Sequence, residues 1–200
     1  MMRPLPLIHA AIMLMLSSGL LAAQADLWKN VAPDAGPTRL DRAPLTDPQR
    51  RAVFALFGRQ GQAHVWECES APDAKGLLSG LSFSAIPVAE GKTVYLVEAG
   101  AGCARGGQGS NGAMWLVRFD EAGPVLLATP KEGFDGWLFR VQPNASHGYH
   151  DLILGWHRSS SEAGLSYFRF DGNRYRQVGK ATGEWNENAH MTIKPEAAHR

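Results

Sequence analysis

Three histidines and one aspartate lie close together in the chain: His147, His150, Asp151 and His157. These residue types ligate zinc or transfer protons in many enzymes. In a strand, Asp151 and His157 would share a face but lie about 20 Å apart, while His147 and His150 would supply only two ligands. We therefore predict no metal site and keep the four residues as secondary candidates for a functional site. We expect Asp151 to bind backbone groups and His157 to face solvent.

The serine run 159–161 follows His157 and precedes Glu162, which gives the residue types of a serine hydrolase. The Gly-x-Ser-x-Gly motif that presents such a serine on a strand-to-helix turn does not occur in the chain. A serine run between two predicted strands is typical of a hairpin loop. We assign no catalytic residue and no cofactor, and a secreted hydrolase whose histidine, serine and acid converge through folding is kept as an alternative.

Glycine supplies six of the thirteen residues in segment 100–112, which lies between two predicted strands. The segment lacks the Gly-Lys-Ser/Thr ending of a phosphate-binding loop, and no helix pattern follows it. Glycine allows a backbone to approach a partner closely, and loops on rigid scaffolds often carry binding. We predict that this loop contacts a partner protein; the alternative is a plain connector. The candidate contact residues are Arg105, Gln108, Ser110 and Asn111.

Residues 1–25 have the three parts of a secretory signal peptide: a positive charge at Arg3, an apolar stretch over 5–23 and the small-residue motif Ala23-Gln24-Ala25. The alternative is a retained membrane anchor, which the prolines, serines and histidine of this region disfavour. We predict cleavage after Ala25, periplasmic or secreted localisation, and no membrane span in the mature protein.

The chain has two cysteines, Cys68 and Cys103. An even number of cysteines in an oxidising compartment favours a disulfide bond, and two free thiols are the alternative. The bond would stabilise the fold by about 3–4 kcal/mol in the chain-entropy model. It would also anchor the first half of the glycine-rich segment to a predicted strand at 63–69.

The charge of the chain is balanced, at a formal +1 for 200 residues. Arg3 is the one charged residue of the predicted leader, so the mature chain is formally neutral. A neutral chain has no electrostatic basis for binding nucleic acid or an anionic membrane. Its 44% hydrophobic and 20% charged residues also exclude a wholly disordered protein.

A short helix is predicted over 48–57, with Asp47 as its N-cap, Pro48 in its first turn and Gly58 as its C-cap. The proline-containing stretch 26–46 before it is predicted to be an extended arm. Short segments with β-branched and aromatic residues follow, separated by glycine and aspartate turns. The predicted strands are 63–69, 81–88, 93–99, 113–119, 124–129, 136–142, 149–157, 165–170 and 174–179. Aromatic residues at alternate positions are predicted to lie in the core, namely Trp66, Trp115, Trp137, Trp156, Phe168 and Phe170.

This pattern predicts a mainly β fold: a single antiparallel sheet or sandwich domain over 47–182, with one short N-terminal helix. The residues from 183 to 200 lose periodicity, and we predict a loose C-terminal tail there. The stretches 115–123 and 166–172 resemble each other, since each has an arginine two residues before an aspartate at the end of a strand.

The segment 94–178 resembles a loose group of secreted bacterial β-rich proteins with a Gly-x-x-Asp-Leu strand and a Tyr-x-Phe-Asp-Gly-x-x-Tyr hairpin. The matching residues are Gly148, Asp151, Leu152, Tyr167, Phe170, Asp171, Gly172 and Tyr175. The segment is also similar to strands of FG-GAP propeller repeats, but their Asp-x-Asp-x-Asp calcium loop is absent. The resemblance implies a periplasmic β domain and no particular activity.

These observations favour a non-enzymatic periplasmic binding protein, of inhibitor or immunity type, that acts on a partner protein such as a cell-wall hydrolase. An envelope structural module without a pocket is the second alternative beside the hydrolase.

Overall fold

The computed structural model describes residues 26–31, 38, 40, 42, 45–60, 81–99, 111–188 and 190–196. One helix of more than a turn or two, α1 (Asp47–Arg59), precedes nine strands in this part of the chain. The strands are β1 (Leu81–Ile86), β2 (Val94–Ala99), β3 (Gly112–Asp120), β4 (Gly123–Ala128), β5 (Asp135–Ser146), β6 (Tyr149–His157), β7 (Glu162–Phe170), β8 (Tyr175–Trp185) and β9 (Met191–Pro195). The predicted leader, the predicted strand 63–69 and both cysteines lie outside the described residues.

All nine strands belong to one antiparallel sheet in the order β1-β2-β3-β5-β6-β7-β8-β9, with β4 paired to the free edge of β3. The strand β3 joins the two halves of the sheet, because it pairs with β2 and β4 along most of its length and with β5 only at Gly112 and Ala113. The prediction of a mainly β fold with one antiparallel sheet is confirmed.

The helix α1 begins one residue earlier than predicted. Thr46, not Asp47, is the N-cap: its hydroxyl accepts from the backbone N–H of Gln49, whose side chain accepts from the backbone N–H of Thr46. This reciprocal pair is a capping box, which satisfies two backbone donors at once. Gly58 lies inside the helix, which ends at Arg59 with Gln60 as its C-cap.

The two halves of the sheet face each other across an inner cluster of apolar side chains. Alternate residues of β2, β3 and β4 point inward from one half, and those of β5 to β8 from the other. The largest fully buried members are Leu96, Met114, Leu116, Leu127, Phe134, Tyr149, Phe168 and Tyr175. The fold is therefore a sandwich made from one continuous sheet.

Each half of the sheet also buries its outer face. The helix α1 covers the first half, where Phe57 stacks on Trp115 with ring centroids 4.7 Å apart. Residues 26–31 cover the second half, where Trp28 meets Tyr167 edge-on at 5.6 Å. The strands in the middle of the sheet are consequently buried on both faces.

The predicted extended arm, 26–46, is only partly extended. Residues 26–28 form a helical turn, because Trp28 packs on the outer face of the sheet. Further along, Thr38 donates its backbone N–H to the carbonyl of Leu138 in β5, at 3.1 Å. Arg42 forms an antiparallel bridge with Ser84 in β1. The arm thus connects the two halves of the sandwich on the side where β1 and β5 are not paired with each other.

The prediction of a loose tail from residue 183 is wrong for its described part. Residues 183–185 continue β8, and Met191–Pro195 form β9, which pairs with residues 181–185. Met191 is buried against Gly183, and Lys194 pairs with Glu184 across the two strands. The sequence did not predict this strand because it has only five residues, and its two alternating apolar residues are too few to indicate a strand.

In the part of the chain that the structure describes, no helix has the length and apolar character needed to cross a membrane.

Gly136 provides a test of the close approach of β5 and β6 beside the junction of the two halves. Its φ of 97° is unfavourable for other residues, and a Cβ there would overlap the carbonyl oxygen of Gly155. Gly123 is the matched control, since it has a φ of 114° but open space around it. We expect Gly123→Ala to lower the free energy of unfolding by about 1–2 kcal/mol through backbone strain. Gly136→Ala should cost about 1–3 kcal/mol more through overpacking.

Urea denaturation of both variants measures this difference. Equal losses for the two would show that β5 and β6 can move apart freely at this point.

Candidate binding surface

One end of the sandwich carries the described residues that border the predicted contact loop, Ala99 and Asn111, together with several exposed side chains. Here β2 ends at Ala99, β3 begins at Gly112, β5 begins near Gly136 and β6 ends at His157. The register brings these strand ends together, because Gly112 pairs with Gly136 and the neighbouring Trp137 pairs with Gly155. We call this end of the sandwich the loop end.

Asn111 fixes the position from which the glycine-rich segment joins β3. Its side-chain amide donates to the carbonyl oxygen of His157 at 3.1 Å, and its side-chain oxygen accepts from the N–H of His157 at 2.8 Å. The amide thereby pairs with the end of β6 as a neighbouring strand would. The predicted contact residues Arg105, Gln108 and Ser110 lie outside the described residues.

Trp156 is the most exposed of the large hydrophobic side chains described at the loop end, with 39% of its surface accessible. Its indole ring lies directly against Gly164 in β7, where a Cβ would overlap Nε1 of the ring. The guanidinium of Arg158 lies over the ring at 5.0 Å from its centroid. The prediction that Trp156 is a core residue is therefore wrong: the ring is held on the surface between a glycine and an arginine.

Arg158 is itself held by three groups. Its guanidinium donates to Glu162 at 3.1 Å, to Glu196 at 2.8 Å and to the hydroxyl of Thr182 at 2.9 Å. The hydrogen bonds to Glu196 and Glu162, together with the charges of these two carboxylates, raise the pKa of Arg158. Because both partners of the stack are fixed, little side-chain entropy would be lost when another protein covers it.

A polar groove opens between the arm, the start of β5, the first residues of β1 and the end of β2. It encloses about 260 Å³. The carboxylate of Glu98 and the hydroxyl of Ser82 lie in it, and Ser82 donates to Glu98 at a long 3.5 Å. The other lining residues are Thr38, Leu40, Arg42, Ser84, Trp137 and Leu138. We call this feature the Glu98 groove.

Trp137 connects the Glu98 groove to the end of β6. The ring of Trp137 covers Gly155 and lies 5.7 Å from the ring of His157, centroid to centroid. His157 is exposed, as the sequence predicts, and its backbone holds Asn111. Trp137 therefore places one wall of the groove beside the end of β6.

Glu98 is incompletely neutralised. Burial raises the pKa of Glu98 above its ordinary value, and the hydrogen bond from Ser82 and the charge of Arg42 offset only part of that rise. Among the described residues, none forms an ion pair with Glu98. Half-buried carboxylates of this kind are often found at functional sites.

The other sequence candidates are separated from the loop end. His147 is exposed in the turn before β6, and His150, the second residue of β6, is partly buried. His150 and His157 are seven residues apart on one strand, which is about 23 Å. In the described residues, no group of three or more histidine, cysteine, aspartate or glutamate side chains could hold a metal ion.

Asp151 is a buried structural carboxylate. It is 1% exposed and accepts hydrogen bonds from the hydroxyl of Tyr167 at 3.1 Å and from the guanidinium of Arg169 at 2.9 Å. The prediction that Asp151 binds backbone groups is wrong, because these partners are side chains of β7. Burial and the charge of Asp151 raise the pKa of Tyr167 to about 12. Sequence reasoning missed Tyr167 and Arg169 as its partners, because pairing between β6 and β7 decides them.

The two similar stretches at 115–123 and 166–172 use their arginines differently. Arg118 pairs with Asp120, the aspartate two residues later, and donates to the hydroxyl of Tyr149. Arg169 instead pairs with Asp151 of the adjoining strand and not with Asp171. Asp171 accepts from the backbone N–H groups of Asn173 and Arg174, which lowers its pKa to about 2. The similarity is therefore one of hairpin sequence and not of site.

A second, larger pocket lies at the opposite end of the sandwich and encloses about 480 Å³. Its two cations, Lys92 and Arg118, are already engaged: Lys92 lies over the ring of Tyr149, and Arg118 is bound to Asp120. The cations of this pocket are therefore less available to a ligand than the carboxylate of Glu98 at the loop end.

Comparison with known proteins finds no matching family model, curated protein or solved structure. The function of the chain therefore has to be inferred from its own surface.

Replacement of Glu98 tests whether its charge costs stability. At neutral pH the wild-type protein keeps a half-buried charge that Glu98→Gln lacks. We therefore expect Glu98→Gln to raise the free energy of unfolding by less than about 1 kcal/mol, because the group is partly solvated. The gain should shrink as the pH falls through the raised pKa of Glu98 in the folded protein towards the pKa of glutamate in the unfolded chain, and it should be absent below both, where the two side chains are neutral.

Urea denaturation at pH 7 and pH 4 measures this effect, with Glu121→Gln in the exposed β3–β4 turn as control. A loss of stability at pH 7 would contradict it.

The Asp151–Arg169 pair gives a second prediction. Arg169→Met leaves Asp151 buried without its cation, and we expect a loss of about 3 kcal/mol. The double variant Asp151→Asn with Arg169→Met should recover much of that loss, since no buried charge remains. Lys194→Met, which breaks the exposed pair with Glu184, is the control and should cost less than about 1 kcal/mol.

Chemical denaturation of the three variants measures the coupling. Similar losses for Arg169→Met and Lys194→Met would refute a buried structural role for Asp151.

Proposed function

We propose that the chain is a non-enzymatic binding protein of the periplasm or cell exterior, which engages a partner protein through the loop end. An inhibitor or immunity protein that blocks a cell-wall hydrolase fits this description. The observation that carries the proposal is the exposed Trp156, fixed between Gly164 and Arg158 beside the point where Asn111 anchors the predicted contact loop.

The composition of this surface supports a protein partner. Tryptophan and arginine are the residue types that most often dominate the affinity of protein interfaces, and they do so where they are rigid and can be desolvated. The contacts of Trp156 and Arg158 make both side chains rigid. The exposed area of Trp156 is the surface that a partner would desolvate.

The surroundings of Trp156 do not favour sugar or base stacking. One face of its ring lies on Gly164, and Arg158 lies over the ring. Stacking a flat ligand needs an open aromatic face. A protein partner can instead cover the exposed edge of the ring and the guanidinium together.

The hydrolase alternative receives little support. Its histidines are spread along β6, and Ser159 accepts a hydrogen bond from the backbone N–H of Ser161 within the hairpin turn. The periplasmic location and the Cys68–Cys103 disulfide remain parts of the proposal. Both derive from the leader and the cysteine count.

The test is partner capture with the mature protein as bait in a periplasmic extract of the producing bacterium, followed by calorimetry with the purified partner. We expect Trp156→Ala to weaken the complex by at least about tenfold, which is the cost of losing an interface anchor. Val178→Ala is the matched control, because Val178 is an exposed apolar residue of β8, 36% accessible, away from the loop end.

Alanine at Arg105, Gln108 and Ser110 together should also weaken the complex. Equal affinities of wild type, Trp156→Ala and Val178→Ala would exclude the loop end as the binding surface.

A further inference from the structure

We propose that the Glu98 groove is a subsite for a cationic side chain, arginine or lysine, of the partner protein. The identity of the natural ligand rests on the proposed function, whereas the chemistry of the groove can be tested without any partner.

The geometry of the groove favours a single side chain. Its volume of about 260 Å³ is below the range of about 300 Å³ and more that is typical of small-molecule sites. It opens at the loop end next to Trp137, which the proposed partner would approach. A long, narrow group that projects from a protein surface fits such a space better than a metabolite does.

The chemistry of the groove favours a cation. Glu98 is the one acid among its lining residues, and the hydroxyls of Ser82 and Ser84 lie beside it. The hydrogen bond from Ser82 is long, at 3.5 Å, so the carboxylate retains acceptor capacity. A guanidinium or ammonium group would supply the charge-assisted hydrogen bonds that Ser82 does not.

Arg42 explains how the groove tolerates an acid when no ligand is bound. It lies exposed on the arm, where it bridges to Ser84, and its charge attracts Glu98 through the groove. An incoming cation would be repelled by Arg42 and attracted by Glu98. The two residues should therefore have opposite effects on binding, which a merely structural role for Glu98 would not produce.

The experiment uses N-acetyl-arginine methylamide as probe and its neutral citrulline analogue as control ligand. Chemical-shift mapping on the isolated protein reports binding at the backbone amides of Ser82, Ser84, Glu98 and Leu138. We expect weak, saturable binding of the arginine probe alone. Glu98→Gln should weaken it by about tenfold, as expected for a charge-assisted hydrogen bond, whereas Arg42→Gln should strengthen it. Glu121→Gln, in the exposed β3–β4 turn, should bind like the wild type.

Three results would overturn the proposal: no shifts at the groove, equal binding of arginine and citrulline, or stronger binding by Glu98→Gln. If N-acetyl-glutamate methylamide binds instead and requires Arg42, the groove is an anion site. Because no partner is present, failure here leaves the Trp156 experiment unaffected. Failure of the Trp156 experiment likewise leaves the charge preference of the groove intact.

Discussion

The rest of this structure depends on the burial of both faces of one continuous sheet. Consecutive residues in β3 and β6 are buried, so neither face of these strands can be left to solvent. One face is covered when the two halves of the sheet close on each other around the inner cluster. The other faces need separate covers, which the helix α1 and residues 26–31 provide. Both covers are joined to the sheet by aromatic contacts, Phe57 on Trp115 and Trp28 on Tyr167.

This arrangement leaves the ends of the sandwich as the places where function can reside. The interior is filled by large side chains, and the described pockets lie at the two ends. Strand ends are held by the sheet, yet their side chains are free from the core. At the loop end this produces a rigid surface from short elements, in which Asn111 pairs with His157 and Trp156 rests on Gly164.

Two carboxylates differ in how far the fold compensates their charge. Asp151 is deeply buried but fully matched, by a guanidinium and a tyrosine hydroxyl of the adjoining strand. Glu98 is less buried, yet its side chain has, within the described part of the chain, one long hydrogen bond and a more distant arginine. Natural folds retain such imperfectly compensated groups mainly where binding requires them. Burial together with poor compensation, and not burial alone, makes Glu98 the better candidate.

The sequence alone determined the local features of this protein. Alternation in Ala113–Phe119 placed Trp115 and Val117 on one face and Met114 and Leu116 on the other, and the structure has them so because side chains alternate along any strand. The position of α1 followed from residues 46–59, although its cap shifted to Thr46. The sequence also indicated Asn111 and His157 as candidate site residues. Only the tertiary structure decided that these two residues are hydrogen-bonded, that Asp151 pairs with Arg169, that Trp156 is exposed and that Glu98 lines a groove. Each of these depends on which strands become neighbours, and strand pairing is set by contacts between residues far apart in the chain, which local periodicity does not encode.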